Sequence, residues 1–144
     1  MLKLSILPGG TLQPVVIFDE TVNPPSWCLD GFNPEQSVLT QTSPVWRAPF
    51  QFIAPRYNTL SQWKLRIDRT FPTELAAQTF KANYAATVPF SGELQLTIAA
   101  AGGMAILYCK NAVRSGITFP APSGQNRVIT AMTWTLAALW STAP

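Results

Sequence analysis

Residues 63–90, WKLRIDRTFPTELAAQTFKANYAATVPF, change their periodicity at one proline and stop at another, and this switch limits the fold more than any other feature of the chain. Trp63, Leu65 and Ile67 fall on one side of a period-two alternation, with Lys64, Arg66 and Asp68 on the other, as in a half-buried strand. Pro72 ends that strand and suits a helix start, because its φ is fixed near the helical value and its missing N–H would have no partner in a first turn. Glu74 then lies where the helix dipole favours a carboxylate. Ala76, Phe80 and Tyr84 recur every four residues beside Ala77, opposite a polar stripe of Glu74, Gln78 and Lys81. The spacing predicts a helix over residues 72–85. A helix this short is marginal alone in water, so Phe80 and Tyr84 are expected to lie on a sheet.

Strands surround that helix. In GELQLTI, Leu94, Leu96 and Ile98 alternate with Glu93, Gln95 and Thr97, and in RVITAMTWTL one face carries Val128, Thr130, Met132, Trp134 and Leu136. The run MAILYC lacks alternation, as expected of a strand buried on both faces or between chains. PVWRAPFQFIAPRYN reads as an edge or bent strand, since Pro49 and Pro55 cannot donate to a ladder. The expected fold is mainly β, a β-sandwich or split barrel with one short α-helix packed on the sheet, over residues 45–144. Residues 1–44 are cut by Pro8, Pro14, Pro24, Pro25, Pro34 and Pro44, and only LQPVVIFDE looks strand-like. They read as a proline-rich arm or long loop, with Trp27, Leu29 and Phe32 as apolar anchors for docking.

Composition bears on partners. Charged residues are 12% of the 144-residue chain, about half the usual share, so much of its surface is expected to meet other chains. Residues 1–44 set Lys3 against Asp19, Glu20, Asp30 and Glu35, and the remainder is basic, so the two parts could attract one another within a chain or between copies. The bases form no run of the kind that tracks a phosphate backbone, and no specific nucleic acid is expected. No stretch approaches the length of a membrane span, and no membrane partner is expected.

Catalytic chemistry finds few candidates. With no histidine, the commonest general base and metal ligand are missing. Asp19 and Glu20 are adjacent, so on a strand they point to opposite faces and read as a solvated acidic edge. Asp68 beside Arg69 reads as a surface ion pair. Cys28 and Cys109 have neither a metal-binding nor a redox spacing and are expected as free thiols. No enzyme activity, cofactor or metal is expected. Of the five tryptophans, Trp63 and Trp134 sit in phase with aliphatic neighbours and read as core. Trp27, Trp46 and Trp140 lie in arm, edge and tail, where interface burial is the natural role and a sugar-stacking platform the alternative.

The order W-R-x-P-F-x-F from Trp46, W-x-L-x-I-x-R-x-F from Trp63, F-x-x-x-Y from Phe80, G-E-L-x-L from Gly92, then K-N-A-V from Lys110 and TAMTWTL to Leu136, resembles small tail proteins of long-tailed bacteriophages. The resemblance implies a β-sandwich or split barrel that joins its sheets to neighbouring copies around a ring. It implies a non-enzymatic virion structural protein of the tail tube, minor tail or baseplate, synthesised in the host cytoplasm. Its partners would be copies of itself and other virion structural proteins. A capsid decoration or head–tail joining protein and a carbohydrate-binding module are the alternatives. Interface positions expected on this reading are Trp27, Phe32, Trp46 and Trp140, with the basic Lys64, Arg66, Lys110, Arg114 and Arg127 facing acidic groups of a neighbouring arm.

Overall fold

The structure is a computed structural model and describes residues 1–9, 13–22, 26–33, 38–39, 42–44, 51–53, 57–58, 61–120 and 126–143, the short stretches between 38 and 58 as backbone. In chain order the elements are β1 (Leu2–Leu7), β2 (Val15–Asp19), β3 (Ser26–Cys28), β4 (Val38–Leu39), β5 (Thr42–Pro44), β6 (Gln51–Ile53), β7 (Tyr57–Asn58), β8 (Ser61–Thr70), α1 (Glu74–Thr87), β9 (Ser91–Ala100), β10 (Gly103–Arg114) and β11 (Arg127–Leu136). Seven strands form one antiparallel sheet in the order β2-β1-β9-β10-β11-β8-β3. Its outermost strands, β2 and β3, return to each other's side, so the sheet is a nearly closed barrel. The expected β-rich fold with one short helix is the one found.

Period-two patterning fills the interior. β8 turns Trp63, Leu65, Ile67 and Arg69 inward, while β11 turns Val128, Thr130, Met132, Trp134 and Leu136 inward. The rungs between them set Trp63 opposite Trp134 and Ile67 opposite Thr130. Leu4, Ile6, Leu94 and Leu96 complete the core from β1 and β9. At the Trp63 end, Phe32 and Trp140 meet Trp63 edge to face, with ring centroids 5.3 and 6.1 Å away. Among the described residues the indole N–H groups of Trp63, Trp134 and Trp140 are buried without an acceptor; for Trp63 and Trp140 the edge-to-face contacts set ring edges against π faces.

α1 covers the opposite end. The Thr73 hydroxyl caps it by accepting the Ala76 N–H at 3.1 Å. Ala77 and Tyr84 are buried, while Ala76 and Phe80 are half-buried. The last turn lacks a basic residue of its own, and Arg114 of β10 supplies one. Its Nη2 donates to the Val88 carbonyl at 2.8 Å and the Ala85 carbonyl at 3.3 Å, and its Nε donates to the Pro89 carbonyl at 3.1 Å. A cation here complements the helix dipole and satisfies carbonyls that the helix end leaves free.

Two expectations are corrected. Residues 1–33 are no detachable arm: β1, β2 and β3 belong to the barrel, and Leu4, Ile6, Ile17 and Phe18 are in its core. Prolines obscured this because they lie between the strands rather than within them. Phe80 packs against the core while staying half-buried. MAILYC is not enclosed within the chain, for Met104 and Ala105 are exposed and Ile106, Leu107 and Tyr108 only half-buried.

Two small ladders stand apart from the barrel sheet. β4 pairs with β7, Val38 opposite Asn58, and β5 pairs with β6, Thr42 opposite Ile53, so the second ladder nests inside the first. Among the described residues neither ladder joins the seven-stranded sheet.

Candidate functional site

The barrel is stitched, not laddered, where β2 meets β3. Along β1 and β2, Leu4 faces Phe18 but Ser5 faces Val16, which makes Ile17 an extra residue and β2 a bulged strand. The bulge leaves the Ile17 carbonyl without a rung. The Tyr84 hydroxyl donates to it at 2.8 Å, and Arg69 Nη2 donates to the same oxygen. Glu20 ties the other strands across the gap, its Oε2 accepting the Leu2 N–H at 2.7 Å and its Oε1 the Cys28 N–H at 3.3 Å.

Between this seam and α1 lies a cleft of about 490 Å³, lined by Val16, Val22, Arg69, Phe80, Asn83 and Tyr84 among others. Arg69 is only 6% exposed. Its guanidinium carbon lies 4.7 Å from the Phe80 ring centre and 4.8 Å from that of Tyr84, and Nη1 donates to Thr130 Oγ1 at 3.4 Å. Among the described residues no carboxylate forms an ion pair with it. Asp19, on the rim, is engaged elsewhere: Oδ1 accepts the Thr21 N–H at 2.9 Å and Oδ2 lies 3.7 Å from Lys3 Nζ. Burial opposes its ionisation, but the Thr21 hydrogen bonds and the Lys3 charge outweigh it and hold the carboxyl below its ordinary range. Burial pushes the Tyr84 phenol up, and the nearby Arg69 charge only partly offsets this.

A second candidate is an open edge on β10. Tyr108 exchanges both backbone hydrogen bonds with Ser141 in the C-terminal segment, its N–H donating at 2.7 Å and its carbonyl accepting at 2.9 Å. Tyr108 therefore turns its backbone away from β9, and by the strand's period of two Met104 and Ile106 turn theirs the same way. β11 pairs only with Ala112, Val113 and Arg114 of β10. Among the described residues nothing covers the edge at Met104 and Ile106. Residues 99–107 carry no charge, and Met104 is 69% exposed.

The expected interface residues divide three ways. Arg66, Arg114 and Arg127 find partners within their own chain rather than in a neighbouring arm: Arg66 Nη2 lies 2.8 Å from Asp30, Arg127 Nη2 lies 2.6 Å from Asp68, and Arg114 closes the helix end. Acidic N-terminal and basic C-terminal parts thus attract inside the molecule at Asp30 and Arg66. Phe32 and Trp140 help to close the barrel, with centroids 5.1 Å apart. Trp27, Lys64 and Lys110 are exposed, while Trp46 lies outside the described residues.

Arg69 and Glu20 were missed as site residues. Asp68 pairs with Arg127, leaving its neighbour Arg69 to turn inward, and Asp19 and Glu20 are both engaged rather than a solvated edge. The available signal was Arg69's phase, the same as Trp63, Leu65 and Ile67. Cys28 and Cys109 are free, and burial raises both thiols, that of Cys28 to about 11. Among the described residues no three His, Cys, Asp or Glu side chains group to hold a metal, and no helix is long and apolar enough to cross a membrane. No family model, curated protein or solved structure matches the chain.

Proposed function

We propose that the protein is a non-enzymatic virion structural subunit, a ring-forming component of a phage tail or baseplate, whose open β10 edge receives a strand from a neighbouring copy. The observation that supports this reading is the uncharged edge at Met104 and Ile106, which no described residue pairs. An exposed strand edge is a template for pairing with another chain, and soluble proteins usually protect it with charge or proline. Here there is neither. The donor is on the same chain: two-stranded ladders are marginal in water by themselves, so the ladders between Val38 and Asn58 gain from laying an edge on another sheet. A donor and an acceptor at different places on one subunit make a head-to-tail contact, which closes into a ring when the rotation allows. The tail-protein resemblance and the low charge agree with such covered surfaces.

Light scattering and negative-stain imaging of the purified chain test this. Oligomers with closed outlines are expected, and Met104→Pro, which removes an outward N–H but no β9 rung, should give folded monomers with nearly unchanged melting temperature. A wild-type chain that stays monomeric at high concentration and is recruited by no protein of the same particle would end the assembly reading.

A further inference from the structure

We infer that the seam cleft is a binding site for a small organic carboxylate carried on an apolar body, with Arg69 as its anchor. The cleft is set apart from the β10 edge, so the inference does not rest on assembly. A buried guanidinium is costly unless its charge is compensated. Among the described residues Arg69 has neutral acceptors only, namely Ile17 O, Thr130 Oγ1 and Tyr84 Oη. These occupy three of its five N–H groups. The side chain is more than nine-tenths buried and lines an open cavity of about 490 Å³, within the range of small-molecule sites.

The walls choose the ligand. Val16, Val22 and Phe80 offer apolar surface, and the exposed Asn83 offers a carboxamide at the rim. One cation with one neutral donor suits a monoanion better than a phosphate dianion, which would draw on further bases or a backbone nest. Asp19 also lines the cleft, but its carboxylate is committed to Thr21 and Lys3. The ligand's carboxylate would reach Arg69 while its hydrocarbon covers Val22 and the Phe80 ring. Phe80 thereby gains a role that its incomplete burial leaves open.

Octanoate, octan-1-ol and octylamine share one apolar body and differ in charge. In calorimetric titrations of the full chain, octanoate should bind on the order of tenfold or more tighter than the alcohol, and the amine should not bind. Arg69→Met should remove the preference for octanoate over the alcohol. Val22→Trp, which fills the cleft mouth and leaves Arg69 untouched, should abolish binding of both and keeps the test open if Arg69→Met fails to fold. Equal binding of acid and alcohol, absence of octanoate binding, or octanoate binding that survives Val22→Trp would overturn the assignment.

Discussion

The two sides of this barrel are held by different means. From β9 through β10 and β11 to β8, backbone rungs do the joining, and inward side chains have only to fill space. Between β2 and β3 the joining falls to Glu20, Arg69 and Tyr84. Each side also buries an arginine, at 7% exposure for Arg114 and 6% for Arg69. Arg114 engages four of its five N–H groups with the carbonyls of Ala85, Val88, Pro89 and Ser115 and closes the helix end. Arg69 is left with N–H groups to spare at the wall of a cavity. Similar burial can thus accompany a helix cap or line a cleft, and the cavity beside Arg69 separates the two.

The comparison breaks most easily on the ladder side. Trp134→Ala removes a fully buried ring opposite Trp63 and should destabilise the protein by about 3–5 kcal/mol, read from chemical denaturation. Amide exchange should then rise across the β8–β11 rungs together. A loss below about 1 kcal/mol would mean that the barrel interior is not the main source of stability.

A smaller change sharpens the contrast at the seam. In Glu20→Gln one of two accepting oxygens becomes an NH₂ group that cannot accept, so either the Leu2 or the Cys28 N–H loses its partner. The expected cost is about 1–2 kcal/mol, with faster exchange confined to those amides while β8–β11 stays protected. Exchange that rises equally everywhere would show that the seam is not a separate unit.

The ladder side was legible in sequence because a laddered strand with one buried face declares itself by period two. Trp63, Leu65 and Ile67 with Trp134 and Met132 gave their strands and their core faces directly, and Pro72, Glu74 and the Phe80–Tyr84 spacing placed the helix within two residues at each end. The seam was not legible. β1 and β2 each carry three consecutive buried residues, Leu4 to Ile6 and Ile17 to Asp19, because the bulge breaks the alternation. Glu20 and Arg69 act through contacts with residues distant in sequence, and no local pattern announces such a partner. Reading prolines as marks of a loose arm failed for a related reason: Pro8 and Pro14 lie in the connection from β1 to β2 and do not interrupt either strand.

The smallest effect concerns acid. Asp19 ends β2 and Asp30 follows β3, so the two carboxyls that the structure holds low both flank the seam. For Asp30 the cause is the Arg66 hydrogen bond, and for Asp19 the Thr21 bonds and Lys3 prevail over burial. A carboxyl whose folded pKa lies below its unfolded value adds stability that is fully present above the unfolded value and fades as pH falls through the folded one. With an ordinary aspartate value of 3.8, both contributions should be complete at neutral pH and decline only below that value. The Asp30–Arg66 pair is exposed and screened, so its share is small. Asp19→Asn should therefore lower stability by roughly 1 kcal/mol at pH 7 and make little difference near pH 2. Exchange at the Thr21 amide, followed as the wild-type chain is acidified, should rise before that of the β8–β11 rungs. If the rungs loosen first, the backbone side is the weaker one in acid and the proposed order of strength between the two sides is reversed.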